Sequence, residues 1–145
     1  MPSEEPYRRI DEDLTVDEND ISKEMATIPT KYFYWSSQLA EAKKILRDTK
    51  VAWDIWLSQR RDEVTKAAIA ENKKITEEGK ETAIRVNFTQ EYERRLGVIS
   101  DWMLKVDQLS GGVEGLSIKS KELMTIASTQ RTERELSADR SLRQR

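Results

Sequence analysis

The stretch Thr30–Lys74 decides the fold that we predict, and its sequence is TKYFYWSSQLAEAKKILRDTKVAWDIWLSQRRDEVTKAAIAENKK. It contains neither glycine nor proline, and its apolar residues recur at alternating steps of four and three, which places them on one face of a helix. At 1.5 Å per residue such a helix is roughly 65 Å long, so it needs a partner helix. The apolar row, which we call the first seam, comprises Ile21, Met25, Ile28, Tyr32, Trp35, Leu39, Ala42, Leu46, Thr49, Trp53 and Trp56.

A second apolar row of the same spacing lies nearer the end of the chain. Because a polar connection at residues 75–88 separates the two rows, we predict an all-α fold: a long antiparallel helical hairpin with coiled-coil-like seams. Asp17 or Asp20 is placed to cap the first helix, and Asn87 or Thr89 to cap the return helix. The second seam comprises Ile99, Trp102, Val106, Leu109, Val113, Leu116, Ser120, Leu123 and Ala127.

Two local features leave alternatives open for the course of these helices. Pro29 marks either a kink within one helix or the start of a second helix, and the unbroken spacing across it favours a kink. Gly111, Gly112 and Gly115 interrupt the second seam, and each costs about 1 kcal/mol of helix stability relative to alanine. They indicate either a break in the helix or a face on which two backbones approach closely, and the spacing favours the close approach.

The composition limits the chemistry that is open to this chain. Its 145 residues are 36% charged and 37% hydrophobic, and they include no cysteine and no histidine. The usual zinc ligands and histidine-dependent catalytic sites are therefore absent, so we expect no enzymatic activity and no cofactor. A nuclease that binds magnesium through carboxylates is a distant alternative. Because no apolar run has the length of a membrane span and no leader is recognisable, we expect a cytoplasmic protein.

Charge and apolar spacing divide the chain into three segments. Residues 1–20 contain eight acids and two arginines, whereas residues 43–74 contain nine bases and five acids. We expect residues 1–20 to form a disordered or loosely docked acidic arm, residues 21–127 the helical hairpin domain, and residues 128–145 a frayed basic tail. The composition of the arm is typical of a solubilising tail, and a nucleic-acid mimic that screens the basic helix is the alternative.

A basic edge runs beside the first seam. Lys43, Arg47 and Lys50 repeat at steps of four and three, Asp54 and Leu57 then interrupt the row, and Arg61 continues it, while Arg60 stands in the seam itself. Such a row is usually only a solvated helix face, but further lysines extend this one, so we predict contacts with phosphate groups. The predicted nucleic-acid-binding residues are Arg60, Arg61, Lys66, Lys73 and Lys74, with Lys43, Arg47 and Lys50 as secondary contacts.

Self-association follows from the aromatic content of the seams. A hairpin of this size has too little interior for all four of its tryptophans, so we expect a homo-oligomer, with a ring favoured. Phe33 and Tyr34 point away from the first seam and are the candidates for stacking on nucleic-acid bases. The predicted oligomerisation residues are Trp35, Trp53, Trp56, Trp102, Val106, Leu109, Val113, Leu116 and Leu123.

Several short motifs keep the order and spacing found in one known family. None is specific alone, and the likeness lies in their collinearity over most of the chain. They are Asp13-Leu-Thr-Val-Asp17, Tyr34-Trp35, Leu57-Ser-Gln-Arg60, Lys74-Ile-Thr-Glu77 and Asp107-Gln-Leu-Ser-Gly111-Gly-Val-Glu-Gly-Leu116. On these motifs the chain resembles the UvsY-type recombination mediators of T-even-like phages.

The resemblance implies an oligomeric protein that binds single-stranded DNA. Such a protein loads a RecA-like recombinase onto strands coated by single-strand-binding protein, so both proteins are implied partners, in the cytoplasm of the host cell. The basic cluster of the family maps onto Arg60, with Arg61 as an additional charge, and Ser58 stands where a family lysine is expected. The alternative function is that of a coiled-coil scaffolding or assembly protein with no nucleic-acid role.

Overall fold

Four helices make up most of the computed structural model, which describes the backbone of residues 5–144 and the side chains of residues 10–144. The described residues form no strand. The helices are α1 (Glu5–Leu14), α2 (Ile21–Ala70), α3 (Glu77–Asn87) and α4 (Thr89–Arg143).

The chain divides into two compact units, each of which contains part of α2 and part of α4. The first unit comprises Met1–Leu39 and Gln108–Arg145, and the second comprises Ala40–Asp107. Within each unit the α2 and α4 segments pack together and run in opposite directions. The predicted all-α fold with a helical hairpin is therefore confirmed.

An aromatic core stabilises the second unit. Trp56, Ile84 and Tyr92 come from α2, α3 and α4 and bury nearly all of their surface against one another. The Trp53 and Trp56 rings are stacked with centroids 5.4 Å apart, and Tyr92 meets the Trp53 ring edge-on at 5.0 Å. Rings of this size contribute more buried apolar area than any other side chains, so they dominate the energetics of this unit.

The connection between the two long helices contains a helix that we did not predict. The first long helix ends at Ala70 rather than Lys74, and α3 follows within the predicted connection at residues 75–88. Thr76 caps α3, because its side chain accepts a hydrogen bond from the Gly79 backbone N–H at 3.0 Å.

The predicted caps of the return helix are wrong. The Thr89 hydroxyl donates to the Arg85 carbonyl at 2.7 Å instead of accepting from the first turn of α4. Phe88 alone separates α3 from α4, and its carbonyl accepts from the Tyr92 backbone N–H at 2.8 Å. Because this bond continues the helical pattern across the junction, the start of α4 needs no side-chain cap.

The start of α2 agrees with the cap prediction. Asp20 Oδ1 accepts a hydrogen bond from the Lys23 backbone N–H at 3.3 Å, whereas Asp17 Oδ1 accepts from the Asn19 N–H in the preceding turn. Helix α2 then continues through Pro29, so the alternative of a second helix that begins there is excluded.

Helix α1 packs on the glycine-containing face of α4 in the first unit. A Cβ atom on Gly112 would overlap the Ile10 side chain, and one on Gly115 would lie 2.7 Å from Leu14 Cδ2. Gly112 and Gly115 therefore form a close-packing face that receives side chains of α1 rather than a second backbone, whereas Gly111 is exposed, and none of the three breaks α4. Residues 5–14 of the predicted disordered or loosely docked arm therefore form a helix. Ile10 and Leu14 share one face of this helix and pack on α4. Residues 1–4 lie outside the described residues.

The predicted frayed tail differs from the structure in its backbone. Helix α4 continues to Arg143, with the side chains of residues 131–144 exposed. Leu109, Leu116 and Leu123 of α4 are buried and lie seven residues apart. The next two positions at this spacing are the polar residues Gln130 and Ser137, so the tail has no apolar stripe to bury.

We expect alanine at Gly111 and at Gly112 to have opposite effects on stability. A Cβ atom on Gly111 meets nothing within 4 Å, so Gly111→Ala should stabilise the protein by up to about 1 kcal/mol through helix propensity. Gly112→Ala forces Ile10 to move and should cost about 1–3 kcal/mol. Urea unfolding of the two variants beside the parent protein measures both changes. Equal effects would contradict the docking of α1 on Gly112.

Candidate nucleic-acid interface

The basic edge of α2 lies on the exposed surface of the second unit. Its members Lys43, Arg47, Lys50 and Arg61 are all exposed, and none forms an ion pair with another residue in the described part of the chain. The first three are separated by four and three residues, which is about 6 Å and about 4.5 Å along the helix axis. Because a helix is rigid, these cations form a fixed row whose charges are available to an external polyanion.

The three predicted lysines near the end of α2 are exposed but differ in their partners. Lys66 Nζ lies 2.9 Å from Asp62, whose hydrogen bond and charge raise the pKa of Lys66. Lys73 Nζ lies 3.2 Å from Glu71, and Lys74 has no ion-pair partner among the described residues. Exposed pairs of this kind are weak, so a phosphate competes readily for the two paired lysines.

Arg60 continues the packed seam instead of ending it. Its guanidinium carbon lies 5.1 Å from the Phe88 ring centroid and 5.9 Å from that of Trp56, which is the geometry of a cation–π contact. Its side chain is 24% exposed and forms an ion pair with Glu63 at 3.3 Å. The Arg60 Nε atom is buried and has no hydrogen-bond partner among the described residues. Arg60 therefore belongs to a different surface from the exposed Arg61.

Sequence reasoning missed the arginines of α3 and α4 that surround the same aromatic core. Arg95 lies over the Trp56 ring at 5.4 Å, and Arg85 lies over the Tyr92 ring at 5.2 Å while donating to the Tyr92 hydroxyl. The doublet Arg94-Arg95 repeats the Arg60-Arg61 doublet, and this repetition was the signal available in the sequence. Their closeness to Trp56 is a tertiary contact that helix spacing alone does not predict.

Glu91 occupies the hydrogen-bond donors of the second arginine doublet. Its Oε1 accepts from Arg94 Nη2 at 2.9 Å and from Arg95 Nε at 2.7 Å, and its Oε2 accepts from Arg94 Nε at 3.2 Å. The hydrogen bonds from Arg94 and Arg95 lower the pKa of Glu91, and the same contact raises the pKa of Arg94. The carboxylate therefore stays ionised at neutral pH, and the doublet is neutralised only in part.

The structure places the centre of the predicted oligomerisation surface inside a single chain. The Trp35 ring is fully buried in the first unit, where its Nε1 donates to Asp13 Oδ2 at 2.8 Å. Side chains in such positions are not available to a second copy, so this part of the prediction is corrected. The buried residues of the set are Trp35, Trp56, Leu109, Leu116 and Leu123.

The other members of that set, and the stacking candidates, retain accessible surface. Trp53, Trp102, Val106 and Val113 are half-buried. Phe33 is 74% exposed and Tyr34 43% exposed, both in the first unit. Of the predicted oligomerisation and stacking residues, these are the ones that a partner molecule can reach without unfolding of the chain.

The first unit contains a wide cleft of different character. It has a volume of about 570 Å³ and lies between the start of α2 and the tail of α4, with Glu18, Asp20, Glu133 and Arg134 in its lining. Its acids outnumber its bases, so it does not fit a phosphate chain. Among the described residues no helix is both long and apolar enough to cross a membrane.

Comparison with solved structures finds a close match for this arrangement of helices. The crystal structure of the bacteriophage T4 recombination mediator protein UvsY matches with a TM-score of 0.72, over 92% of this chain and 99% of that chain. The fold is similar to that of UvsY. The resemblance drawn from the motifs is thereby confirmed for the fold, and the 14% sequence identity extends it no further. No protein-family model matches the sequence, and no curated protein sequence is significantly similar to it.

Proposed function

We propose that the protein is a non-enzymatic recombination mediator that binds single-stranded DNA. In this proposal it helps to load a RecA-like recombinase onto DNA coated with single-strand-binding protein, in the cytoplasm of the host cell. The observation that carries the proposal is the basic edge of α2, whose exposed cations lack ion-pair partners within the described residues. The fold similarity to UvsY supports the choice of recombination over other roles of single-strand binding.

The basic edge fits a single strand better than it fits a specific duplex site. Arg61 lies 18 residues after Lys43 on the same helix, which is about 27 Å along the axis. Cations aligned on one helix face contact phosphates without reading bases, so the bases stay accessible to another protein. A homo-oligomer would repeat the row and increase the affinity through multivalency.

Salt dependence provides the first test of strand binding. When a fluorescent oligothymidine is titrated at several salt concentrations, log K should fall linearly with log salt, with a slope of about −0.7 for each phosphate contacted. Four contacts on the edge then give a slope of about −3 for each chain. An oligoadenosine of equal length should behave alike. Absence of salt-sensitive binding would favour the alternative of a coiled-coil scaffold, in which the edge pairs with acids of a neighbour.

The loading step needs a separate experiment with three proteins. Recombinase filaments should form faster on strands coated by single-strand-binding protein when this protein is added, because it provides an alternative site for the displaced backbone. Naked strands serve as the control, since they need no mediator. Equal stimulation on coated and naked strands would contradict a mediator role while leaving strand binding intact.

A further inference from the structure

The Trp56 ring brings together guanidinium groups from two helices of the second unit. Arg60 of α2 lies 5.9 Å and Arg95 of α4 lies 5.4 Å from the centroid of this ring. Two cations on one ring repel each other, so the arrangement favours anions close by. In the isolated chain Glu63 pairs with Arg60, and Glu91 pairs with Arg95.

The donors around Glu91 form a site of the kind that also binds phosphate. Three N–H groups of Arg94 and Arg95 converge on its two carboxylate oxygens at 2.7–3.2 Å. Planar guanidinium groups bind carboxylate and phosphate oxygens through the same paired donors. Arg60 adds a further guanidinium charge beside the Trp56 ring, and its only ion-pair partner among the described residues is Glu63. The cluster thus has more donor capacity than its own acids use.

We propose that Arg60, Arg94 and Arg95 form a second phosphate site for the bound strand, which Glu91 fills until a phosphate displaces it. The proposal rests on the proposed function and adds α4 to a contact surface otherwise formed by α2 and the residues that follow it. Glu91 makes strand binding competitive: each phosphate that enters the site first has to break the carboxylate contacts. Affinity is thereby kept below its maximum, as expected for a protein that has to pass the strand to a recombinase.

Replacing Glu91 by glutamine tests the competition directly. Glu91→Gln keeps the size of the side chain and removes its charge, so the affinity for the strand at low salt should rise about five-fold. The slope of log K against log salt should become more negative by about 0.7, the value for one additional phosphate contact. The matched control is Glu93→Gln, which makes the same change in net charge two residues further along α4. Glu93 is exposed and has no ion-pair partner among the described residues, so its replacement should change the affinity less than about two-fold.

The roles of Arg94 and Arg95 are tested both in the Glu91→Gln variant and in the parent protein. In the Glu91→Gln chain, adding Arg94→Gln and Arg95→Gln should remove the gain in affinity. In the parent protein the double substitution Arg94→Gln and Arg95→Gln should weaken strand binding about three-fold and reduce the salt slope. This second comparison does not depend on Glu91→Gln, so it remains informative if that substitution disturbs the first turn of α4. Far-UV circular dichroism checks the helix content of every variant.

The outcomes separate this proposal from the proposed function. Salt-sensitive binding by the parent chain with equal affinities for Glu91→Gln and Glu93→Gln would overturn the second site alone. The second site would also be overturned if Glu91→Gln still raised the affinity after Arg94 and Arg95 had been replaced. It would equally be overturned if replacing these two arginines left the salt slope unchanged. Absence of binding by both the parent chain and Glu91→Gln would overturn both.

Discussion

Replacing Lys119 by methionine should destabilise the first unit by about 3–5 kcal/mol. Only 2% of this lysine is exposed, and its Nζ donates to the backbone carbonyls of Asp13 and Thr15, both at 2.7 Å. The same Nζ forms an ion pair with the largely buried Glu24 carboxylate. Methionine preserves the chain length and packing but leaves this carboxylate without its counter-charge and the two carbonyls without their donor.

Urea unfolding followed by circular dichroism measures this loss against a matched control. Lys121→Met changes an exposed lysine on the same helix and should stay within about 0.5 kcal/mol of the parent protein. Adding Glu24→Gln to Lys119→Met should recover part of the stability, because the uncompensated charge is then gone. Similar losses for the two lysine variants would show that the buried ion pair contributes nothing to the first unit.

The burial of Lys119 and its contacts could not be predicted from the sequence. The partners of its amine at Asp13 and Thr15 precede it by 106 and 104 residues, and nothing in the local spacing distinguishes it from the exposed Lys121. Loose docking was one predicted alternative for the acidic arm, but the helix α1 within it was missed for a related reason. Its acids dominate the composition, and only Ile10 and Leu14 carry the apolar signal that positions it on α4.

The long helices were predictable because their apolar spacing is continuous, but the depth of burial along the first seam was not. The residues at every seventh position from Ile21 to Ala42, together with Trp56, are buried, whereas Met25 and Tyr32 are exposed. A helix that meets only part of a full bundle buries one row of a seam completely and the other row in part. Sequence spacing alone gives the two rows equal weight.

The candidate interface was predictable only where it depends on one helix. The basic edge is exposed because its cations lie away from the buried row of α2, which helix spacing gives directly. Arg60 has the same charge but a different surrounding, since Phe88 at the α3–α4 junction lies next to it and Arg95 of α4 lies over the same Trp56 ring. Such contacts depend on how helices pack, so sequence reasoning placed Arg60 and Arg61 in one group although they face different surroundings.

Reversing three charges of the basic edge together should have the largest effect on the proposed function. The variant Lys43→Glu, Arg47→Glu and Lys50→Glu should bind single-stranded DNA at least about 100-fold more weakly at low salt, because three phosphate contacts become repulsions. The salt slope should decrease in magnitude by about 2. All three positions are exposed, so helix content and unfolding midpoint should change little, and the oligothymidine titration measures the affinity.

The control for this variant changes the net charge equally but in the first unit. Lys23→Glu, Lys121→Glu and Arg131→Glu alter three exposed cations that have no ion-pair partner among the described residues. If strand binding depends on the fixed row along α2, this control should keep its salt slope and lose only the small affinity that long-range attraction provides. Equal losses in the two triple variants would mean that overall charge governs binding. The basic edge would then be a solvated helix face, and the scaffold alternative would gain support.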